Sequence, residues 1–164
     1  MAHVTTEALA RRLIDAARAR GVRIAAAESC TGGLVSAAIT DVAGSSDVFD
    51  RGFVTYSYPS KTAMLGVPQV MLADHGAVSE PVVRAMAEGA LAASAAGLVV
   101  AVTGVAGPGV SEAKPEGLVW FATATADETR AERRDFGPLG RAQVRARSVE
   151  TALELLLQAL ARLP

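Results

Sequence analysis

Cysteine occurs once in the 164 residues, at Cys30, so neither an intrachain disulfide framework nor a Cys-rich zinc site can form. Histidine occurs twice, at His3 and His75, and lysine twice, at Lys61 and Lys114; every other basic side chain is arginine. Chemistry that needs a histidine or a lysine therefore has very few candidates. Neither sign of charge dominates. Lys and Arg number 16 and Asp and Glu 17, which gives a net charge of −1 and no basic excess for binding nucleic acid. No apolar stretch reaches the roughly 18 residues of a membrane span, because Gly, Ser or charge interrupts each one. The first residues, Met1-Ala-His-Val-Thr-Thr-Glu7, lack a basic start and an apolar core, so no signal peptide is expected. What is present is apolar: 51% of the residues are hydrophobic and 20% charged, which excludes disorder. The expectation is one soluble, cytoplasmic domain over residues 1–164 with a sizeable core.

Hydrophobic period and turn residues divide the chain into alternating elements. Thr6 to Arg18 reads as an amphipathic helix with Leu9, Leu13, Ile14 and Ala17 on one face, Thr5 or Thr6 as cap and Gly21 as stop. Val22 to Ala27 reads as a buried strand. Gly32-Gly33 opens a second helix over Leu34 to Thr40. Arg51 to Ser57 reads as a strand, and Pro59 starts a turn that leads Lys61 into a short helix. Ser79-Glu-Pro begins a helix to about Ala96, and Leu98 to Val102 is a central strand. Thr103 to Gly117, rich in Gly and Pro, is a loop. Leu118 to Thr125 and Thr129 to Phe136 form paired strands, the second a charged edge. Arg141 to Leu163 is a closing helix. The order predicts a three-layer α/β/α sandwich on a mixed, mostly parallel sheet of about five strands.

Four segments carry candidate chemistry. Glu28-Ser-Cys-Thr-Gly-Gly33 joins a strand to a helix, where α/β folds place their sites and where backbone N–H groups can hold an anion. The bland alternative is a tight turn in which Ser29 and Thr31 cap the helix. Tyr56-Ser-Tyr-Pro-Ser-Lys61 sits at a strand end; on composition alone Lys61 is a surface lysine. Thr103-Gly-Val-Ala-Gly-Pro-Gly109 follows the apolar strand, and its glycines permit close backbone approach to a ligand. Arg141 and Arg145 lie one helical turn apart and suit a phosphate or carboxylate, or simply a solvated face. Cys30 is a rival nucleophile to Ser29, with His75, read as a loop residue, its only obvious base.

Taken together, these segments resemble the CinA C-terminal domain family, the nicotinamide-nucleotide amidases. The matching pieces are Glu28-Ser-Cys-Thr-Gly-Gly33, Gly44-Ser-Ser-Asp-Val-Phe49, Gly52-Phe-Val-Thr-Tyr-Ser57 with Lys61, Leu65-Gly-Val67, His75-Gly-Ala-Val-Ser79, Thr103-Gly-Val-Ala-Gly-Pro108, Lys114-Pro115 with Gly117, and Arg141 with Arg145. The resemblance implies hydrolysis of the carboxamide of nicotinamide mononucleotide to nicotinate mononucleotide and ammonia. It implies a Ser–Lys mechanism without metal or cofactor, with Ser29 as nucleophile, Lys61 as base and Tyr56 as supporting hydroxyl. It places substrate contacts at Cys30, Thr31, Gly32, Gly33, Ser46, Thr103, Gly104, Arg141 and Arg145, and suggests a homodimer. Three positions depart from the family pattern: Ala43-Gly-Ser-Ser46 where Pro-Gly-Ser-Ser is usual, Glu116 in place of Val, and Leu139-Gly140-Arg141 in place of Gly-Asp-Arg.

A serine that attacks an amide must lose its proton, and a neutral lysine amine can take it. Free lysine is less than about one part in a thousand neutral near pH 7, so an apolar, carboxylate-free site is required to bring it into range. The N–H groups of the Cys30–Gly33 turn are expected to meet the oxyanion. Two other readings remain open: a nucleotide-binding regulatory domain without turnover, and an amidase for a different carboxamide nucleotide.

Overall fold

The computed structural model describes residues 4–164; His3 lies outside the described residues. Helix α1 (Thr6–Arg20) starts where the Thr5 hydroxyl accepts the Ala8 N–H at 3.1 Å, and it buries Leu9, Ala10, Leu13, Ile14 and Ala17. Strand β1 (Ile24–Glu28) is buried along its whole length. Helix α2 (Leu34–Thr40) and a short 3-10 turn (Ser45–Asp47) lead to strand β2 (Phe49–Val54). Helices α3 (Tyr58–Leu65), α4 (Gln69–His75) and α5 (Glu80–Ala92) follow, then β3 (Leu98–Gly104), β4 (Leu118–Ala124), β5 (Thr129–Asp135) and α6 (Arg141–Arg162).

The five strands form one sheet in the order β2-β1-β3-β4-β5. β1 pairs in parallel with both β2 and β3, while β4 is antiparallel to β3 and β5. Four strands thus point the same way and β4 alone is reversed, which is the mixed, mostly parallel sheet expected. Alternation along the strands separates two cores. Ile24, Ala26, Leu98, Val100, Val102 and Phe121 pack with α1, α2 and α6. Ala25, Ala27, Val99 and Ala101 pack with α5 and with Leu65 and Leu72 of α3 and α4. The small side chains of β1 let helices approach both faces of the sheet, completing the three layers. No helix among the described residues is long and apolar enough to cross a membrane.

Several boundaries differ from the sequence reading; β1 runs Ile24–Glu28 rather than Val22 to Ala27, and the ends of α1, β4, β5 and α6 shift by one or two residues. β2 begins at Phe49 and stops at Val54, because Ser57 is needed as the cap of α3, where its hydroxyl accepts the Ser60 N–H at 3.3 Å. Thr103 and Gly104 belong to β3 rather than to the loop, since they pair with Trp120 and Val119. α5 ends at Ala92. Helix α4 was not anticipated, and His75 is its last residue rather than a loop residue. Pro68 before it and Gly76 after it were the available punctuation.

β1, β2 and β3 end side by side, Glu28 lying opposite both Val54 and Val102. The segments that leave those ends, at Ser29, Thr55 and Val105, therefore gather at one edge of the sheet. This is the carboxyl edge, where open α/β sheets bind ligands.

Candidate active site

Glu28 organises the turn after β1. Its carboxylate is fully buried and accepts the N–H groups of Gly33 (3.2 Å), Val35 (2.8 Å) and Ser36 (3.0 Å) and the Ser36 hydroxyl (2.7 Å). The positive end of α2 is thus occupied by an internal anion. Gly33, at φ 106, supplies the left-handed turn that lets the chain fold over this carboxylate. The sequence reading placed Glu28 at the head of this segment but gave it no role; an acidic residue closing an apolar strand just before a helix start was the signal. Glu28→Gln sets an amide NH2 against N–H donors. It is expected to cost about 2–3 kcal/mol in urea unfolding, and Ser36→Ala only about 1 kcal/mol.

With those groups engaged, the oxyanion expectation narrows. The Gly32 N–H donates to the Ser29 carbonyl at 3.1 Å and the Leu34 N–H to that of Thr31 at 3.0 Å. Gly32 and Gly33 therefore have no N–H to offer a substrate. Cys30 and Thr31 carry the remaining N–H groups of the turn that no other residue accepts.

Lys61, in the second turn of α3, points inward and is fully buried. Its Nζ lies 2.9 Å from Ser29 Oγ, 2.6 Å from the Thr55 carbonyl and 3.3 Å from the Tyr56 carbonyl. No carboxylate among the described residues pairs with it. Burial away from water pulls its pKa down from 10.5 to about 8. Burial pushes the neighbouring Cys30 thiol up to about 12, so it stays protonated. No hydrogen bond links Cys30 to His75, whose backbone carbonyl instead receives Lys114.

Above Ser29 lies a cleft of about 320 Å³, at the small end of ligand sites. Ser29, Cys30, Tyr56, Thr103, Gly104 and Arg141 all line it. Thr103 donates its hydroxyl to the Ala77 carbonyl at 3.0 Å. Glu112 ties the far wall together: its carboxylate accepts the N–H groups of Ala77 (2.7 Å) and Val78 (3.1 Å) and the Tyr58 hydroxyl.

The other predicted site residues are placed differently. Tyr56 is 60% exposed. Its hydroxyl accepts from Arg141 at 2.8 Å, and only its backbone carbonyl meets Lys61, so the phenol is not the support of the amine. Arg145 does not line the cleft; it donates to the Cys30 carbonyl (3.1 Å) and the Thr31 carbonyl (3.3 Å), bracing the turn from behind. Thr31, Gly32 and Gly33 belong to that turn but not to the cleft wall. Ser46 is at the wrong end of the sheet: it precedes β2, whose first residue lies opposite the first residue of β1. Among the described residues no group of three or more His, Cys, Asp or Glu could hold a metal ion.

This geometry can be set against known proteins. The family model of the CinA C-terminal domain matches residues 6–160. The chain belongs to the CinA C-terminal domain family. A nicotinamide-nucleotide amidohydrolase PncC of Escherichia coli is 51% identical over 151 residues, covering 92% of each chain. A protein of the same name from Pseudomonas putida is 50% identical, covering 92% of this chain and 94% of its own. Among solved structures, the competence/damage inducible protein CihA of Agrobacterium tumefaciens superposes with a TM-score of 0.92 at 46% identity. It covers 99% of this chain and 100% of its own. A competence damage-inducible protein of Klebsiella pneumoniae reaches a TM-score of 0.94 at 38% identity, covering 98% and 99%. CinA-family membership thus extends over nearly all the described residues, including both halves of the Ser29–Lys61 pair.

Proposed function

We propose that the protein hydrolyses the carboxamide of nicotinamide mononucleotide, releasing ammonia and nicotinate mononucleotide, through Ser29 as nucleophile and Lys61 as general base. The carrying observation is the buried Lys61 amine, 2.9 Å from Ser29 Oγ with no carboxylate partner. The PncC relatives, named for an amidohydrolase acting on a nicotinamide nucleotide, support the substrate.

The hydrogen-bond pattern around Lys61 suits a base. A neutral amine has two N–H groups and one lone pair. The Thr55 and Tyr56 carbonyls take the two N–H groups, which leaves the lone pair for the Ser29 hydroxyl. As Ser29 Oγ bonds to the carboxamide carbon, its proton passes to Lys61, and the carbonyl electrons move onto oxygen, met by the N–H of Cys30, the residue of the turn after Ser29 that lines the cleft. Collapse of the intermediate breaks the C–N bond, and the leaving nitrogen takes the proton from Lys61 to depart as ammonia. Water, deprotonated by the same amine, then attacks the ester; its collapse frees the carboxylic acid and returns the proton to Ser29.

The test is ammonia release from purified protein given nicotinamide mononucleotide. Thermal stabilisation by the nucleotide without ammonia would instead support a binding module. The pH profile follows from the lowered Lys61 value. Near pH 7 about one amine in ten is neutral, against less than one in a thousand for free lysine. Turnover is therefore expected to rise with pH and level off above an apparent pKa near 8. A rate that is flat between pH 6.5 and 9 would remove Lys61 from the base role.

A further inference from the structure

Glu116 stands in the loop between β3 and β4, half-buried and outside the Ser29–Lys61 contact. One carboxylate oxygen accepts the Gly109 N–H at 2.8 Å and the other the Gly140 N–H at 3.1 Å. Gly140 immediately precedes α6, which has no side-chain cap of its own and no acidic residue in its first turn. Arg141 is the first residue of that helix and, among the described residues, the only basic one lining the cleft. Its guanidinium donates to the Gly107 carbonyl at 2.7 Å and to the Tyr56 hydroxyl at 2.8 Å. Gly107 in turn packs on Glu116: a Cβ there, at φ +92, would fall 2.2 Å from the carboxylate. The carboxylate, the 107–109 backbone and the start of α6 therefore form one closed ring around the root of Arg141. Glu116 does not pair with Arg141 directly, so it leaves the guanidinium charge unneutralised.

We infer that Glu116 is a positioning residue for substrate capture: it locks the loop to α6 so that Arg141 presents an anion-binding guanidinium to the cleft, without acting in amide cleavage. The inference rests on the proposed reaction and adds a residue that sets affinity for the phosphorylated part of the substrate. A charged acceptor that ties a loop N–H to the N–H at a helix start is worth more than a neutral amide, which keeps one oxygen only.

The test is steady-state kinetics of the full chain and of Glu116→Gln with nicotinamide mononucleotide and with nicotinamide riboside, which has the same carboxamide and no phosphate. The expected result is a KM for the nucleotide raised about 5- to 20-fold, with kcat within about twofold and kcat/KM for the riboside unchanged. Loss of kcat, or equal losses on both compounds, would overturn the positioning role and leave the amidase reading intact. If the unmodified protein releases no ammonia from either compound, that reading fails instead. Calorimetry with nicotinate mononucleotide then decides the role of Glu116. Weaker binding by Glu116→Gln, by the same factor, supports it; equal affinity, or no binding to the unmodified protein, overturns it.

Discussion

Lys61→Arg and Lys61→Met are each expected to abolish ammonia release, lowering kcat by at least about a thousandfold, while the far-ultraviolet circular dichroism stays that of the parent. The two substitutions remove the same function by different means. Arginine keeps a cation in the pocket but cannot surrender its proton near neutral pH. Methionine keeps the length of the side chain and has no basic nitrogen. A lysine that served only as a positive charge for the oxyanion would be replaced in part by arginine. A lysine that served only as packing would be replaced by methionine. Retention of more than about a tenth of the rate by either variant would therefore remove the base from the mechanism.

The same substitution has a thermodynamic signature independent of turnover. Lys61 ionises near pH 8 in the folded protein and near its ordinary 10.5 in the unfolded chain. Below pH 8 both states hold the proton, and the fold carries the whole cost of a buried ammonium. Between pH 8 and 10.5 the unfolded chain binds more protons than the folded one, so raising the pH stabilises the fold. Above 10.5 the gain is complete. Lys61→Met lacks this dependence. The melting temperature of the parent should climb relative to that of Lys61→Met between pH 7 and 9.5; a constant gap would mean that the amine is not desolvated.

How much of this was legible in the sequence depends on the distance over which the cause acts. Period and punctuation located α1, α2 and the paired strands β4 and β5, because each of those signals is local. The seven-residue α4 escaped, since two turns of helix show little periodicity and lean on tertiary packing of Leu72. Lys61 illustrates the limit more sharply. Composition makes it a surface residue, and only resemblance singled it out. Its burial comes from α3 packing on α5 and turning the amine toward Ser29 and the Thr55 and Tyr56 carbonyls, which no local pattern encodes. Arg141 and Arg145 share a helix face, as their spacing predicts, yet they do different work. One reaches across to the Gly107 loop and the other to the carbonyls behind Ser29, because a single turn of helix separates cleft from scaffold. Ser46 was misplaced because order along the chain does not reveal which edge of the sheet a turn occupies.

The adjacent side chains Ser29 and Cys30 provide the decisive separation between two nucleophiles. Ser29→Ala is expected to lower kcat by about a thousandfold or more, and Cys30→Ala to leave it within about threefold. Both residues line the cleft, so exposure to substrate does not distinguish them. Proton transfer does. Ser29 Oγ has a base at 2.9 Å, whereas the Cys30 thiol is pushed up to about 12 by burial and is hydrogen-bonded to neither His75 nor Lys61. At pH 8 only about one thiol in ten thousand would be ionised. That fraction is too small even for an intrinsically better nucleophile. Cys30→Ala opens a cavity and is expected to cost about 1 kcal/mol of stability, read by urea unfolding rather than by rate. Iodoacetamide, which reacts with thiolates, should leave activity intact over the time in which it alkylates a free cysteine. Inactivation by iodoacetamide that Cys30→Ala cannot prevent would point to a reagent acting elsewhere. A dead Cys30→Ala beside an active Ser29→Ala would move the covalent bond from oxygen to sulfur, and Lys61 with it from base to bystander.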